Sequence, residues 1–314
     1  MSLQSLQGAS IGLVFPGQGS QSVGMGRDLI AQSPAAKAVM READETLDFA
    51  LSTLCFEGPA DVLEDTWNAQ PAILAVSIAA LRAIEEKAAS EGVSFTPIVG
   101  AGHSLGQFTA MAAAGVLDFA SAINLVRERG RLMKEAGTER PGGMAAVLGL
   151  DEATLEEVCR EASGTGVINV ANANCPGQIV ISGEVPALEK AMELAKAAGA
   201  KRVARLGVSI ASHSPLMEGV SIQLGKILEK LDLHDPAYPI VGNVSGEPIT
   251  TADDLRTELR HHVERPVNWT KSVQTMIGMG ANTFVEAGSG NVLAGLIKRI
   301  DRSVSIVSTA DALA

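Results

Sequence analysis

The apolar run at residues 96–101 passes directly into Gly102-His103-Ser104-Leu105-Gly106, and residues 104–114 then carry a helical pattern. A buried strand that turns straight into a helix through two glycines belongs to sheets whose strands run parallel and are covered by helices. The pattern G-x-S-x-G at such a turn is a nucleophile elbow. Its serine sits on a sharp bend, and its glycines keep side chains away where strand and helix pack closely. The next backbone N–H, that of Leu105, lies at a helix N-terminus and can stabilise an oxyanion. In a chain with 32 glycines the bare pattern also arises as a plain turn. The flanking strand and helix are what make Ser104 a candidate nucleophile.

The rest of the chain fits an α/β fold. A strand at 10–15 ends in the glycine-rich loop 16–21; helices follow at 71–87, with Asn68 as cap, and from Asp118 to about residue 136. Residues 138–208 have an order of their own. Strands at 143–150, 166–171, 178–182 and 201–208 enclose helices at 151–162 and 185–198, with a turn at 172–177. This βαββαβ order is ferredoxin-like. It predicts a small subdomain, 138–208, inserted into a large α/β subdomain formed by 1–137 and 209–314. Beyond the insertion, helices are expected at 215–230, 252–263, 269–279 and 292–299, and strands at 239–241 and 283–285.

Composition removes several function classes. Hydrophobic residues make up 46% but aromatics only 3%, so the core is aliphatic. A net charge of −11 argues against nucleic-acid or anionic-membrane binding. Residues 1–26 are uncharged but have no basic start, so they do not read as a targeting leader, and no stretch reads as a membrane span. The three cysteines, Cys55, Cys159 and Cys175, have no CxxC spacing, which points to a reduced, cytoplasmic setting.

A nucleophilic serine needs a base. His261 and His262 lie on a charged helix and read as solvated; His234 precedes a turn; His103, inside the elbow, reads as structural with its ring directed away from Ser104. His213, in the connection that follows the insertion, stands where active-site residues gather, with a helix cap as the alternative. Arg129 lies on the apolar face formed by Ala122, Leu125, Val126, Leu132, Met133 and Ala136. A guanidinium there must be paired, either by a protein carboxylate or by a carboxylate on a substrate. Gln18, between Gly17 and Gly19, sits in a loop that can bring backbone N–H groups close to a ligand. Two basic groups, Arg127/Arg131/Lys134 and Lys201/Arg202/Arg205, offer local patches for an acidic partner on this acidic chain.

Taken in order, Phe15-Pro-Gly-Gln-Gly-Ser-Gln21, Asn68-Ala-Gln-Pro71, Gly102–Gly106, Arg129-Gly130, Asn174-Cys-Pro-Gly-Gln178, Ser212-His213, Pro266-Val-Asn-Trp269 and Gly288-Ser-Gly290 resemble the malonyl-CoA:acyl-carrier-protein transacylases and related acyltransferase domains of polyketide and fatty-acid synthases. The resemblance spans nearly the whole chain. It implies a hydrolase-like core with a small ferredoxin-like subdomain and an active site in the cleft between them. It implies a Ser104–His213 dyad, an oxyanion hole from the N–H groups of Gln18 and Leu105, and Arg129 as clamp for a malonyl carboxylate. Gln70 and Asn174 match cleft positions, and the backbone carbonyl of His262 matches the group that orients the catalytic histidine. Gln107 stands where the family commonly has Glu, and His262 where it often has Gln. The implied partners are malonyl-CoA and acyl carrier protein, with no metal or other cofactor and a monomeric chain. Polyketide-type malonyl or methylmalonyl transfer, a serine thioesterase and a non-catalytic module on the same scaffold are the alternatives.

Overall fold

β1 (Ile11–Phe15) is buried at all five positions, as a strand covered on both faces must be. The computed structural model describes residues 3–314, in which β1 lies at the centre of a six-stranded sheet. The other strands are β2 (Pro97–Gly102), β3 (Gly142–Leu148), β4 (Ile168–Cys175), β5 (Gln178–Glu184), β6 (Arg202–Arg205), β7 (Ile240–Val241), β8 (Pro248–Ile249), β9 (Thr283–Glu286) and β10 (Ser305–Ser308). The large sheet has the order β10-β9-β1-β2-β7-β8, and every pairing is parallel except that of β7 with β8. Leu13 and Phe15 face one core with Leu105 and Phe108. Val14, Val99 and Ala101 face the other, against Trp269, Val273 and Met276.

β3 to β6 form a separate antiparallel sheet of order β4-β5-β3-β6. Helices Glu152–Ala162 and Val185–Ala197 cover one face with an aliphatic core around Val147, Leu155, Ile181 and Leu188. The βαββαβ order expected for this segment is present. Its edge strand β4 is stitched to the large unit: Ala173 N–H donates to Val267 O at 3.0 Å, and Val267 N–H to Ala171 O at 2.8 Å.

Several boundaries differ from expectation. The long helix runs Thr66–Glu91 and is capped by Asp65, whose carboxylate accepts from Trp67 N–H; Asn68 lies inside it and caps nothing. Pro71 sits in its second turn, not its first, at the expense of one backbone hydrogen bond. Residues 172–175, expected as a turn, continue β4. Register shifts at Val170/Asn172 and Ala173/Cys175 bend that strand. β10 and the helices between Arg27 and Glu64 had no counterpart in the sequence reading.

Candidate active site

The elbow forms because nothing larger than glycine fits two residues before or two residues after Ser104. A Cβ on Gly102 would meet the Gly106 carbonyl at 1.9 Å, and one on Gly106 would meet Phe15 O at 2.1 Å. Between them Ser104 adopts a left-handed backbone, φ 49, a conformation that costs roughly 1–3 kcal/mol in a non-glycine residue. Helix Gly106–Ala113 follows at once. Ser104 Oγ lies 2.8 Å from His213 Nε2. His213 Nδ1 faces two backbone carbonyls, His262 O at 3.0 Å and Arg265 O at 3.1 Å. Carbonyls only accept, so Nδ1 carries the proton and Nε2 offers its lone pair to the serine hydroxyl. Both carbonyls come just beyond the helix Ala252–His261, whose C-terminal end favours positive charge. They occupy the place a carboxylate takes in a triad.

Arg129, on the helix Phe119–Glu139, is 1% exposed. Its Nη1 donates to Gln70 Oε1 at 2.6 Å and its Nη2 to Ser104 Oγ at 3.3 Å. Among the described residues no carboxylate pairs with it. Gln70 Nε2 donates to Thr66 Oγ1, which donates to Gln18 Oε1, each at 2.9 Å. The loop carrying Gln18 is thereby tied to the arginine. The N–H groups of Gln18 and Leu105 have no acceptor among the described residues. Asn172 and Asn174 on the bent strand β4 line the same cleft, which holds about 490 Å³.

Of the two histidines nearest the dyad, His103 has the structural place expected for it and His262 differs from expectation. The ring of His103 lines the cleft wall, and its Nε2 bonds Asn174 Oδ1 at 2.8 Å, bridging the two sheets. It makes no contact with Ser104 Oγ among the described bonds. His262 is not solvated; the helix ends at His261, and His262 turns inward onto Phe108, at 5.3 Å between ring centres, and His213, at 5.8 Å. Of the basic groups, Arg131 is bound to Glu128 and Glu135, Lys134 to Asp65, and Arg127 packs over Phe49 and Trp67. Arg205 pairs with Glu189, whereas Lys201 and Arg202 are exposed with no ion pair among the described residues. Sequence reasoning missed Thr66, Asn169 and Asn243, polar residues without a motif that only the folded chain brings to the site.

Burial lowers the pKa of His103, His213 and His262, and the Arg129 charge lowers the latter two further. His213 falls to about 3. Burial also pushes Arg129 down, to about 9, which leaves it charged at neutral pH. An unfolded histidine titrates near its ordinary value of about 6.5, above the folded value. Below that pH the unfolded chain binds more protons, so each of these rings lowers stability as pH falls toward its folded pKa. The slope is at most about 1.4 kcal/mol per pH unit for each ring. His262→Gln removes one of the three. Its loss of stability between pH 7 and pH 5 is expected to be smaller than that of the parent by about 2 kcal/mol, read by denaturant titration at both pH values. Equal losses would mean that this ring does not fold as a buried neutral group.

The acyl transferase domain model matches residues 13–313, and the chain belongs to that family. It is 44% identical over 304 residues to the malonyl CoA-acyl carrier protein transacylase of Bacillus subtilis, covering 96% of this chain and 94% of that one. The Escherichia coli K12 protein of the same name is 43% identical over 91% of each chain. Among solved structures, the malonyl CoA-acyl carrier protein transacylase of Coxiella burnetii superposes with a TM-score of 0.92 at 38% identity, covering 96% and 94%. A malonyl-transacylase solved in complex with a holo type II PKS acyl-carrier protein gives 0.91 at 39% identity, covering 96% of each chain. Among the described residues no helix is long and apolar enough to cross a membrane.

Proposed function

We propose that this chain moves a malonyl group from malonyl-CoA to the phosphopantetheine thiol of acyl carrier protein, through an ester on Ser104. The observation that carries the reading is the buried guanidinium of Arg129, held by neutral partners only, 3.3 Å from the serine oxygen. A three-carbon acyl group with a free carboxylate matches that pair of groups: its carbonyl carbon at Ser104, its carboxylate on the arginine fork.

His213 Nε2 takes the Ser104 proton as Oγ attacks the thioester carbonyl. The N–H groups of Gln18 and Leu105 hold the oxyanion. The C–S bond breaks, and His213 returns the proton to the departing CoA thiolate. In the second half the carrier's thiol gives its proton to His213 and attacks the ester. The bond to Oγ then breaks, and the proton returns to Ser104. The Gln70 amide holds Arg129, and Asn174 holds His103 across the cleft. The 138–208 unit serves as the smaller of two lobes around the site in a monomeric, cytoplasmic enzyme. Shared chain-wide identity with named malonyl CoA-acyl carrier protein transacylases, and a neighbour bound to its carrier protein, support transfer to a carrier protein; a fatty-acid role is our reading.

Intact mass tests both halves. Malonyl-CoA alone is expected to leave one stable malonyl adduct, and added holo carrier to remove it onto its own thiol. Rapid release of free malonate before carrier is added would favour a thioesterase instead. Lys201→Glu with Arg202→Glu is expected to slow discharge onto the acidic carrier several-fold at low salt while leaving loading unchanged.

A further inference from the structure

Among the described residues three non-glycine residues have a left-handed backbone: Asp48, Ser104 at φ 49 and His213 at φ 58. Two of the three are the proposed nucleophile and base. Such conformations persist only where the surroundings over-determine them. Each of these two residues is held at its main chain by the side chain of one asparagine from a separate element.

Asn243, fully buried in the loop after β7, grips the elbow at two points. Its Oδ1 accepts from Ser104 N–H and its Nδ2 donates to Gly102 O, both at 2.7 Å. The loop is itself fixed, since Asn243 N–H donates to Gln107 Oε1 at 2.9 Å and Asn243 O accepts from Asn268 N–H at 2.8 Å. Asn169, on β4, donates from Nδ2 to His213 O and to Val170 O, each at 2.8 Å. His213 N–H is taken by Val263 O at 2.8 Å, so both peptide groups of that residue are anchored.

We propose that Asn243 and Asn169 are positioning residues that keep Ser104 and His213 in these left-handed conformations and so set the 2.8 Å gap between Oγ and Nε2. The inference rests on the Ser104–His213 reading above, and neither asparagine touches the acyl group. An amide suits the elbow because one group must accept and donate within the same turn. A carboxylate at 243 would face the Gly102 carbonyl with no proton to give. By taking the Ser104 N–H, Asn243 also leaves the Leu105 N–H as the unshared amide of the elbow, which is the one an oxyanion needs.

The test uses a fluorophosphonate, which reacts with a serine activated by its histidine and requires neither a carboxylate nor CoA. Labelling of Ser104 is expected to slow about 10²-fold in Asn243→Asp and in Asn169→Asp, the loss typical of an ångström-scale displacement. CoA affinity, measured by calorimetry on a Ser104→Ala background, is expected to stay at the parent value, as is the melting temperature of Asn169→Ala; Asn243→Asp, which buries a carboxylate against the Gly102 carbonyl, is expected to melt lower. Asn169→Ala, at the half-buried position of edge strand β4 and away from the elbow, decides the matter if Asn243→Asp does not fold. Labelling within twofold of the parent in folded variants overturns the proposal, as does a loss that merely follows CoA affinity or, at Asn169, melting temperature. Normal labelling of the parent with no malonyl adduct would instead refute the malonyl reading and leave this one standing.

Discussion

Arg129→Ala is expected to cut malonyl loading by about 10²–10³-fold in kcat/KM while sparing acetyl loading. Removing one partner of a desolvated, hydrogen-bonded charge pair costs about 3–4 kcal/mol, because the malonyl carboxylate would then be buried unpaired. An acetyl group has no such charge to strand. Burial first, and the arginine's charge second, hold His213 at low basicity, so removing the charge relaxes only the smaller part of that effect. On the proposed reading a malonyl carboxylate paired with Arg129 would supply the same partial relief in the parent, so the clamp would both select the acyl group and ease the charge's effect on the base. Acetyl-CoA and malonyl-CoA loading, followed by intact mass under single turnover, give the ratio. Arg129→Met, which fills the space without the charge, separates lost packing from lost pairing. Equal losses for the two acyl groups in both variants would make Arg129 a structural residue only.

That arginine shows what could be read before folding and what could not. Its helical phase put it on the apolar stripe of its own helix, and the structure buries it. Its partner stayed open, because phase fixes a direction and never a neighbour. The amide of Gln70, 59 residues earlier, becomes that neighbour only once two helices pack. The elbow was legible for a related reason: its steric demands, one inside the turn and one against Phe15 O, both leave their mark as glycine within five residues. His262 was misplaced among solvated residues because the helical pattern was carried two residues past the end at His261, and the first of them rotates inward. Pro71 misled by appearing to mark a first turn. The bent end of β4 was invisible because its extra residues pair across a register shift, a feature that alternation cannot encode. Asn169 and Asn243 had no sequence signal at all, since a buried asparagine is chosen by the main-chain groups around it.

Ser104→Ala is expected to abolish the malonyl adduct, with no other residue labelled. Among the described residues the hydroxyl is the one nucleophile in contact with His213, and the three cysteines are buried thiols, with Cys55 and Cys159 pushed up to about 12 by burial. His213→Ala should lower loading by about 10⁴–10⁶-fold, and the double variant should fall no further, because serine and histidine act as one unit. An additive double loss would mean that the two act in separate steps. The pH profile adds an independent reading. With its folded pKa near 3, His213 is already unprotonated across the neutral range, so kcat/KM for malonyl loading should show no acid limb between about pH 5 and pH 8. A limb near the ordinary histidine value would place a solvated imidazole in the step, and the buried ring on its two carbonyls would then not be the base.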